Sequence, residues 1–182
     1  ASDGDSERPV MLGLEQDGTA RFFGGDLVGM ITAAFLGADA AVVPISCNDA
    51  IDQGELQAIV EPRTRIGSPY VIAGMTVAKA KGKRAVCGWE ANGGFLTGSD
   101  IVKNGKVLTA LPTRDAVLPI VAVLAAAREQ GLGLVELFSR LPQRHSRAAL
   151  LQQFPKEKSL AIIRRYSPAD AAITEVLYDE DR

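Results

Sequence analysis

Apolar and polar positions along the 182-residue chain alternate in short blocks punctuated by glycine, proline and asparagine. Residues 10–14 and 20–23 are brief apolar runs on either side of Gln16-Asp17-Gly18, a pattern that predicts a β-hairpin. Asp26 is placed to cap a helix running to about Phe35, with Gly37 as its stop. Residues 40–45 form a continuous apolar stretch of the kind found in strands buried on both faces. A short helix is expected over 49–53 and a strand over 58–60. Ser68 as N-cap and Pro69 at the first helical position predict a helix to about Lys79, ended by Lys81-Gly82-Lys83. Residues 84–87 read as a third buried strand, followed by a glycine-rich loop over 88–94 and a small hairpin around Asn104-Gly105. Thr113 or Asp115 is expected to cap a long apolar helix to about Glu129, which Gly131 ends, and a further helix covers 134–141. After Pro142 the pattern loosens. A helix over 147–154, a strand over 159–163 and a helix starting at Ser167-Pro168 are expected there.

The alternation of strand and helix over residues 40–130 predicts an α/β fold, with a mixed, mostly parallel sheet flanked by helices. Composition adds limits. With 47% hydrophobic and 23% charged residues, the chain can bury an ordinary core without disulfide support. Cys47 and Cys87 sit in apolar surroundings at no metal-ligand or redox spacing, so they read as buried thiols of a reducing compartment. A cytoplasmic location is expected, and no apolar run has the length of a membrane span. Net charge is −2 with the basic residues scattered, so neither a nucleic-acid face nor a membrane partner is expected. Any cationic site must then be local and suited to a small anion.

The densest candidate chemistry is Asp3-Gly4-Asp5-Ser6-Glu7-Arg8. In an extended segment alternate residues point to one side, so Asp3, Asp5 and Glu7 would converge. Carboxylates that close repel unless a cation lies between them, and an all-oxygen set suits a hard ion such as Mg²⁺. Arg8 beside them can hold a phosphate oxygen through its planar fork. A solvated acidic terminus is the competing reading. The glycine and glutamate spacings of a calcium-binding EF-hand are absent.

A second candidate is Gly88-Trp89-Glu90-Ala91-Asn92-Gly93-Gly94, directly after a predicted strand, where α/β sheets usually bind ligands. Glu90 can accept from neighbouring sugar hydroxyls, Asn92 can donate and accept, and the paired glycines admit close backbone approach. A tight turn with Glu90 merely exposed competes with that reading. Arg63-Thr64-Arg65-Ile66-Gly67-Ser68 puts cations at a helix start, a plausible phosphate site, or else a solvated strand end. Trp89 either lines the sugar site or, as is commoner beside a strand, packs. His145 lies in a polar stretch and is given no catalytic role.

The acidic run resembles the Asp-Gly-Asp-x-Asp-Arg metal loop of the α-D-phosphohexomutase family, with Glu7 where the motif has Asp. The glycine-rich stretch is similar to that family's Gly-Glu-x-Ser-Gly-His sugar loop, with Asn92 for Ser and Gly94 for His. Arg65-Ile66-Gly67 resembles its Lys-x-Gly-His turn. Gly25-Asp26 and Thr113-Arg114-Asp115 follow in family order, so the likeness covers nearly the whole chain.

The resemblance implies Mg²⁺ on Asp3, Asp5 and Glu7, Arg8 facing a phosphoserine, and a hexose phosphate on Glu90, Asn92 and Arg65. That substrate is a mannose or glucose 1- or 6-phosphate, interconverted through a phosphoserine and a bisphosphate intermediate. The Thr-Ala-Ser-His-Asn-Pro nucleophile motif and the Arg-Pro-Ser-Gly-Thr-Glu-Pro phosphate loop do not occur in the chain. It is therefore expected to be a fragment, inactive by itself. The expected layout is the end of a metal-binding domain over 1–41, a sugar-recognition domain over 42–150 and the start of a phosphate-binding domain over 151–182. The alternative is a non-catalytic α/β domain that binds a divalent cation or a sugar phosphate.

Overall fold

A computed structural model describes residues 1–146 and 151–170, which belong to two units, Ala1–Ser146 and Arg147–Arg182. The first unit opens with the expected hairpin, β1 (Met11–Leu14) paired antiparallel with β2 (Ala20–Phe23). Helix α1 (Gly25–Leu36) follows, and Gly37 ends it in the left-handed conformation as expected. Its start differs from expectation. Gly24 is the N-cap, and Asp26 sits inside the first turn, where its carboxylate serves a distant loop instead of the helix end.

The central sheet has the order β3-β4-β5-β8, comprising β3 (Ala40–Val42), β4 (Val86–Trp89), β5 (Phe95–Thr97) and β8 (Leu111–Asp115). It is mixed, as expected, but its parallel share is smaller than the alternation suggested. Only β3 and β4 pair in parallel, whereas β4–β5 and β5–β8 are antiparallel. The strand expected over 58–60 is not one. Residues Gly54–Ile59 wind into a 3₁₀ helix, and Val60 makes an isolated parallel bridge to Ala41. Pro44 and Pro62 lack backbone donors, so the edge beside β3 is a broken ladder rather than a strand. The turn at 49–53 is likewise 3₁₀, over Asp49–Asp52. The strand expected at 84–87 begins two residues later because the Asp39 carboxylate takes the amides of Arg84 (2.9 Å) and Ala85 (2.8 Å).

Helix α2 (Ser68–Ala80) carries proline in its first turn, but Gly67 rather than Ser68 precedes it as N-cap. The small hairpin β6 (Ile101–Lys103) and β7 (Lys106–Leu108) turns on Asn104 (φ 51°) and Gly105 (φ 73°), the paired positive φ values of a type I′ turn. Strand β8 leads into α3 (Val117–Gln130), and Asp115 accepts from the amides of Val117 (2.7 Å) and Leu118 (3.3 Å). The short α4 (Leu134–Ser139) closes the fold.

Three apolar clusters explain the layering. One face of the sheet packs on α2 through Val42, Val86, Leu96, Val71 and Met75. The other face packs on α1 through Cys87, Trp89, Phe95, Met30 and Ala33. The far side of α1 buries Val28 and Ile31 against Val123 and Ala126 of α3, with Phe23 and Phe138. An α1 sequence apolar nearly all round is what a helix between two layers requires.

In the second unit, residues 156–166 form helix α5 (Lys156–Tyr166), replacing the strand expected over 159–163. Glu157 in its first turn and Arg164 and Arg165 in its last complement the helix dipole, which the local apolar run concealed. The helix expected over 147–154 falls partly outside the described residues, and so does most of the one expected after Ser167-Pro168. No helix among the described residues is long and apolar enough to cross a membrane.

Candidate functional site

The acidic segment is a closed loop rather than an extended strand. Ser2 bridges Pro9 antiparallel, Ser6 takes a positive φ (59°), and its amide donates to the Asp3 carbonyl at 3.2 Å. The chain thus doubles back within the motif, and alternate residues do not line one side. Asp3 Oδ1 accepts from the amides of Glu7 (3.1 Å) and Arg8 (3.0 Å), so this carboxylate organises the loop. Desolvation pushes the Asp3 carboxyl upwards. The Arg8 amide, a hydrogen bond with the Asp5 side chain, the Glu7 amide and the Arg8 guanidinium outweigh it and bring it below the ordinary value. Arg8 lies 3.7 Å from Asp3 Oδ2 and is exposed, as is Asp5. Glu7 turns to a different partner, its Oε2 pairing with Arg114 NH2.

The donor chemistry of Asp3, Asp5 and Glu7 suits a hard divalent ion, but their arrangement does not. Among the described residues no three His, Cys, Asp or Glu side chains gather as a ligand set. Two of the expected ligands are committed, Asp3 to backbone amides and Glu7 to an arginine.

The glycine-rich loop leaves the sheet at Trp89. The Glu90 carbonyl accepts from the Gly93 amide (2.8 Å), and Asn92 Oδ1 accepts from the Gly94 amide (3.0 Å), so the loop is a tight turn. Glu90 is nevertheless not a solvated turn residue, being only 7% exposed. Asn92 is exposed with its carbonyl engaged, leaving its NH₂ as the group to present to a ligand. Trp89 is buried and stacks on Phe95 at 5.8 Å, which settles it as packing.

The two loops meet. Arg114, near the end of β8, crosses Gly94 so closely that a Cβ there would lie 2.9 Å from its Cδ. Its NH2 pairs with Glu7, and its NH1 lies 3.8 Å from Glu90 Oε2. The Ala116 amide donates to the Ser6 carbonyl at 3.1 Å, fastening the acidic loop to the head of α3. In the sequence Arg114 stands within Thr113-Arg114-Asp115 ahead of a helix, and nothing local marks it as the bridge.

The arginine turn divides in two. Arg63 is half-buried and donates to the carbonyls of Pro44 (3.2 Å) and Cys47 (2.9 Å) and to Asp52 Oδ2 (2.5 Å), so it clamps the loop after β3 rather than ending a strand in solvent. Arg65 is exposed at the turn before α2, its guanidinium 6.0 Å from the Tyr70 ring centre. It is not among the ion-pair partners of Glu7 or Glu90. On the hairpin side, a cavity of about 280 Å³ is lined by Arg21, Asp26, Asn48, Arg144 and His145 among others. Asp26 within it is buried and accepts from the Asn48 amide at 3.0 Å.

Residues 24–145 match the family described as phosphoglucomutase/phosphomannomutase, alpha/beta/alpha domain III. A phosphomannomutase of Salmonella muenchen is 39% identical over 163 residues, covering 90% of this chain and 32% of that protein. A phosphomannomutase of Sinorhizobium fredii is 42% identical over 165 residues, covering 90% of this chain and 33% of that protein. The chain thus spans about a third of the length of the curated relatives it matches. In structure it is similar to a phosphomannomutase of Thermus thermophilus (24% identity, TM-score 0.55, 76% of this chain and 29% of that one). It is also similar to an Aspergillus fumigatus N-acetylphosphoglucosamine mutase solved with glucose 1,6-bisphosphate (16% identity, TM-score 0.59, 78% of this chain and 32% of that one). At these identities the two structures speak to the fold.

Proposed function

Because the chain belongs to the phosphoglucomutase/phosphomannomutase domain III family, we propose that it is the sugar-recognition part of a larger phosphomannomutase-type enzyme. That parent interconverts hexose 6-phosphate and hexose 1-phosphate through a phosphoserine and a bisphosphate intermediate, with the serine supplied by sequence outside these 182 residues. The observation that carries the reading is Glu90, a nearly buried carboxylate at the carboxyl end of β4, on a loop that the acidic segment packs against. Burying a carboxylate is costly unless it is partnered, and the 3.8 Å charge contact with Arg114 leaves the Glu90 oxygens free to accept from a ligand's hydroxyls.

The chain's own residues would divide the work as follows. Glu90 accepts from two sugar hydroxyls, Asn92 donates through its NH₂, and Arg65 at the mouth of the turn before α2 attracts the phosphate. Arg8, exposed on the acidic loop, is the cation that would face the phosphoserine. The likeness of the acidic loop to the family's metal loop implies Mg²⁺ on Asp3, Asp5 and Glu7, but the engagement of Asp3 with backbone amides and of Glu7 with Arg114 does not fit that role.

The proposed layout is the end of a metal-binding domain, the sugar-recognition domain and the start of a phosphate-binding domain. Helix α1 packs between the sheet and α3, which favours a first joint nearer residue 24 than 41.

The test is an NMR titration of the ¹⁵N-labelled chain with mannose 1-phosphate and glucose 1-phosphate, with inorganic phosphate as control. Amide shifts at Glu90, Asn92 and Arg65 with a sugar phosphate and not with phosphate alone are expected. Identical shifts with inorganic phosphate would leave a plain anion site and overturn the sugar reading.

A further inference from the structure

Arg114 touches both candidate loops, and neither the sugar site nor the metal loop as read from sequence employs it. Its guanidinium offers two nitrogens to two carboxylates, NH2 to Glu7 and NH1 to Glu90. Its side chain is 27% exposed and its stem is pinned across Gly94, so it is not a wandering surface arginine. The two contacts differ in kind. The one to Glu7 is a close ion pair, whereas 3.8 Å to Glu90 Oε2 is a charge contact too long for a hydrogen bond. A charge contact of that sort restrains a carboxylate without using its acceptor sites, which stay available to hydroxyls. The Glu90 side chain is 9% exposed, and Arg114 supplies the opposite charge that offsets the cost of burying a carboxylate there.

We propose that Arg114 is a positioning residue for Glu90 and that Glu7 is its counter-charge, so that the acidic loop and the sugar loop act as one coupled unit. The proposal rests on the sugar-site reading given above. Glu7 accordingly works through Arg114 rather than as a third ion ligand. Its glutamate length reaches the guanidinium from a loop that the Ala116 amide already holds against α3. Without Glu7, Arg114 has a single carboxylate partner left and closes on Glu90 as a direct hydrogen-bonded pair, taking up the acceptors the sugar requires. Without Arg114, Glu90 loses the charge that orients it.

The experiment uses the full 182-residue chain and two readouts. In the first, mannose 1-phosphate affinity is measured by NMR titration for the wild type, Glu7→Gln, Arg114→Gln and Arg114→Lys. Arg114→Gln is expected to weaken binding about tenfold and Glu7→Gln by several-fold to about tenfold, the scale of a lost charge contact in a partly buried site. Arg114→Lys keeps the charge and loses the fork, and should fall between wild type and Arg114→Gln. Wild-type affinity in a folded Glu7→Gln chain overturns the proposal.

The second readout needs no sugar: the guanidinium NH resonances of Arg114 at low temperature. Separate, slowly rotating signals are expected in the wild type and altered ones in Glu7→Gln. A wild-type chain that binds no sugar phosphate but shows held Arg114 signals would refute the sugar reading and support the coupling of the loops. Averaged Arg114 signals in the wild type refute the coupling, whatever the sugar titration gives.

Discussion

The backbone of Gly25 lies directly against that of Gly93: a Cβ built at Gly25 would fall 2.2 Å from the Gly93 nitrogen. This contact joins the first turn of α1 to the turn that presents Glu90, so the glycine-rich loop takes its position from the helix beneath it. Gly93 itself has φ 90° and packs on Pro9, which brings the acidic loop to the same point.

A methyl group at residue 25 has nowhere to go, because the atoms it would meet are backbone. Gly25→Ala is expected to destabilise the chain by about 1–3 kcal/mol, the usual cost of overpacking, and to move the Gly93 and Gly94 amides. Urea unfolding and the ¹⁵N spectrum measure the two effects. A variant of wild-type stability with unmoved loop resonances would show that the loop is not seated on α1.

Arg63 and Arg65, two residues apart, should behave oppositely. Arg63 satisfies carbonyls and Asp52 around the loop after β3, and removing a charged donor from such a set typically costs about 1–3 kcal/mol. Arg63→Ala is therefore expected to lower the unfolding midpoint. Arg65→Ala, at an exposed turn, should stay within about 0.5 kcal/mol of wild type while weakening the binding of a sugar phosphate. Chemical denaturation alongside ligand titration separates the roles, and equal loss of stability in both variants would contradict the division.

Much of this arrangement was legible in the sequence, and within the first unit the part that was not has a common cause. The hairpins, α1, α2 and α3 announce themselves through local chemistry: Gly37 and Gly131 as left-handed stops, Asn104-Gly105 as a type I′ turn, Asp115 before α3. Elements decided by partners rather than by their own residues carry no such local signal. The segment over 58–60 looks like a strand until Pro44 and Pro62 are seen to interrupt the ladder beside β3. Asp26 looks like a cap until its carboxylate is found on the Asn48 amide. The site shows the same division. Glu90 was marked by its glycine-rich loop, but the positive φ at Ser6 undoes the alternation assumed for Asp3, Asp5 and Glu7. The Arg114 bridge joins residues far apart in sequence, which no local pattern records.

The two thiols give a prediction about pH. Burial pushes the Cys47 thiol up to about 12, with the Asp26 and Glu90 charges raising it and Arg63 opposing. Burial, with a smaller contribution from Asp39, pushes Cys87 up as well. In the unfolded chain both titrate at about 8.5. Their folded values are raised, so the stability they contribute is complete below that pH. It is lost progressively as pH climbs from there towards the folded values. Unfolding free energy should thus fall between about pH 8.5 and 11, and less steeply in Cys47→Ser or Cys87→Ala. A thiol reagent at pH 8 should modify neither cysteine in the folded chain and both in denaturant. Rapid modification of the native protein would contradict the burial.

Arg114 should also govern how the chain meets divalent cations. It neutralises Glu7 and stands beside Glu90, so a cation approaching the acidic loop faces an occupied carboxylate and a fixed positive charge. Removing the guanidinium frees Glu7 and leaves two carboxylates without the cation that lay between them, an arrangement that attracts a small hard ion. Arg114→Gln is therefore expected to bind Mg²⁺ several-fold more tightly than wild type, and Arg114→Gln combined with Glu7→Gln should lose that gain. Isothermal titration of the 182-residue chain with MgCl₂ measures both. Weaker Mg²⁺ binding in Arg114→Gln would mean that the arginine organises the acidic loop for the ion instead of competing with it, and Glu7 would then have to be counted among the ligands after all.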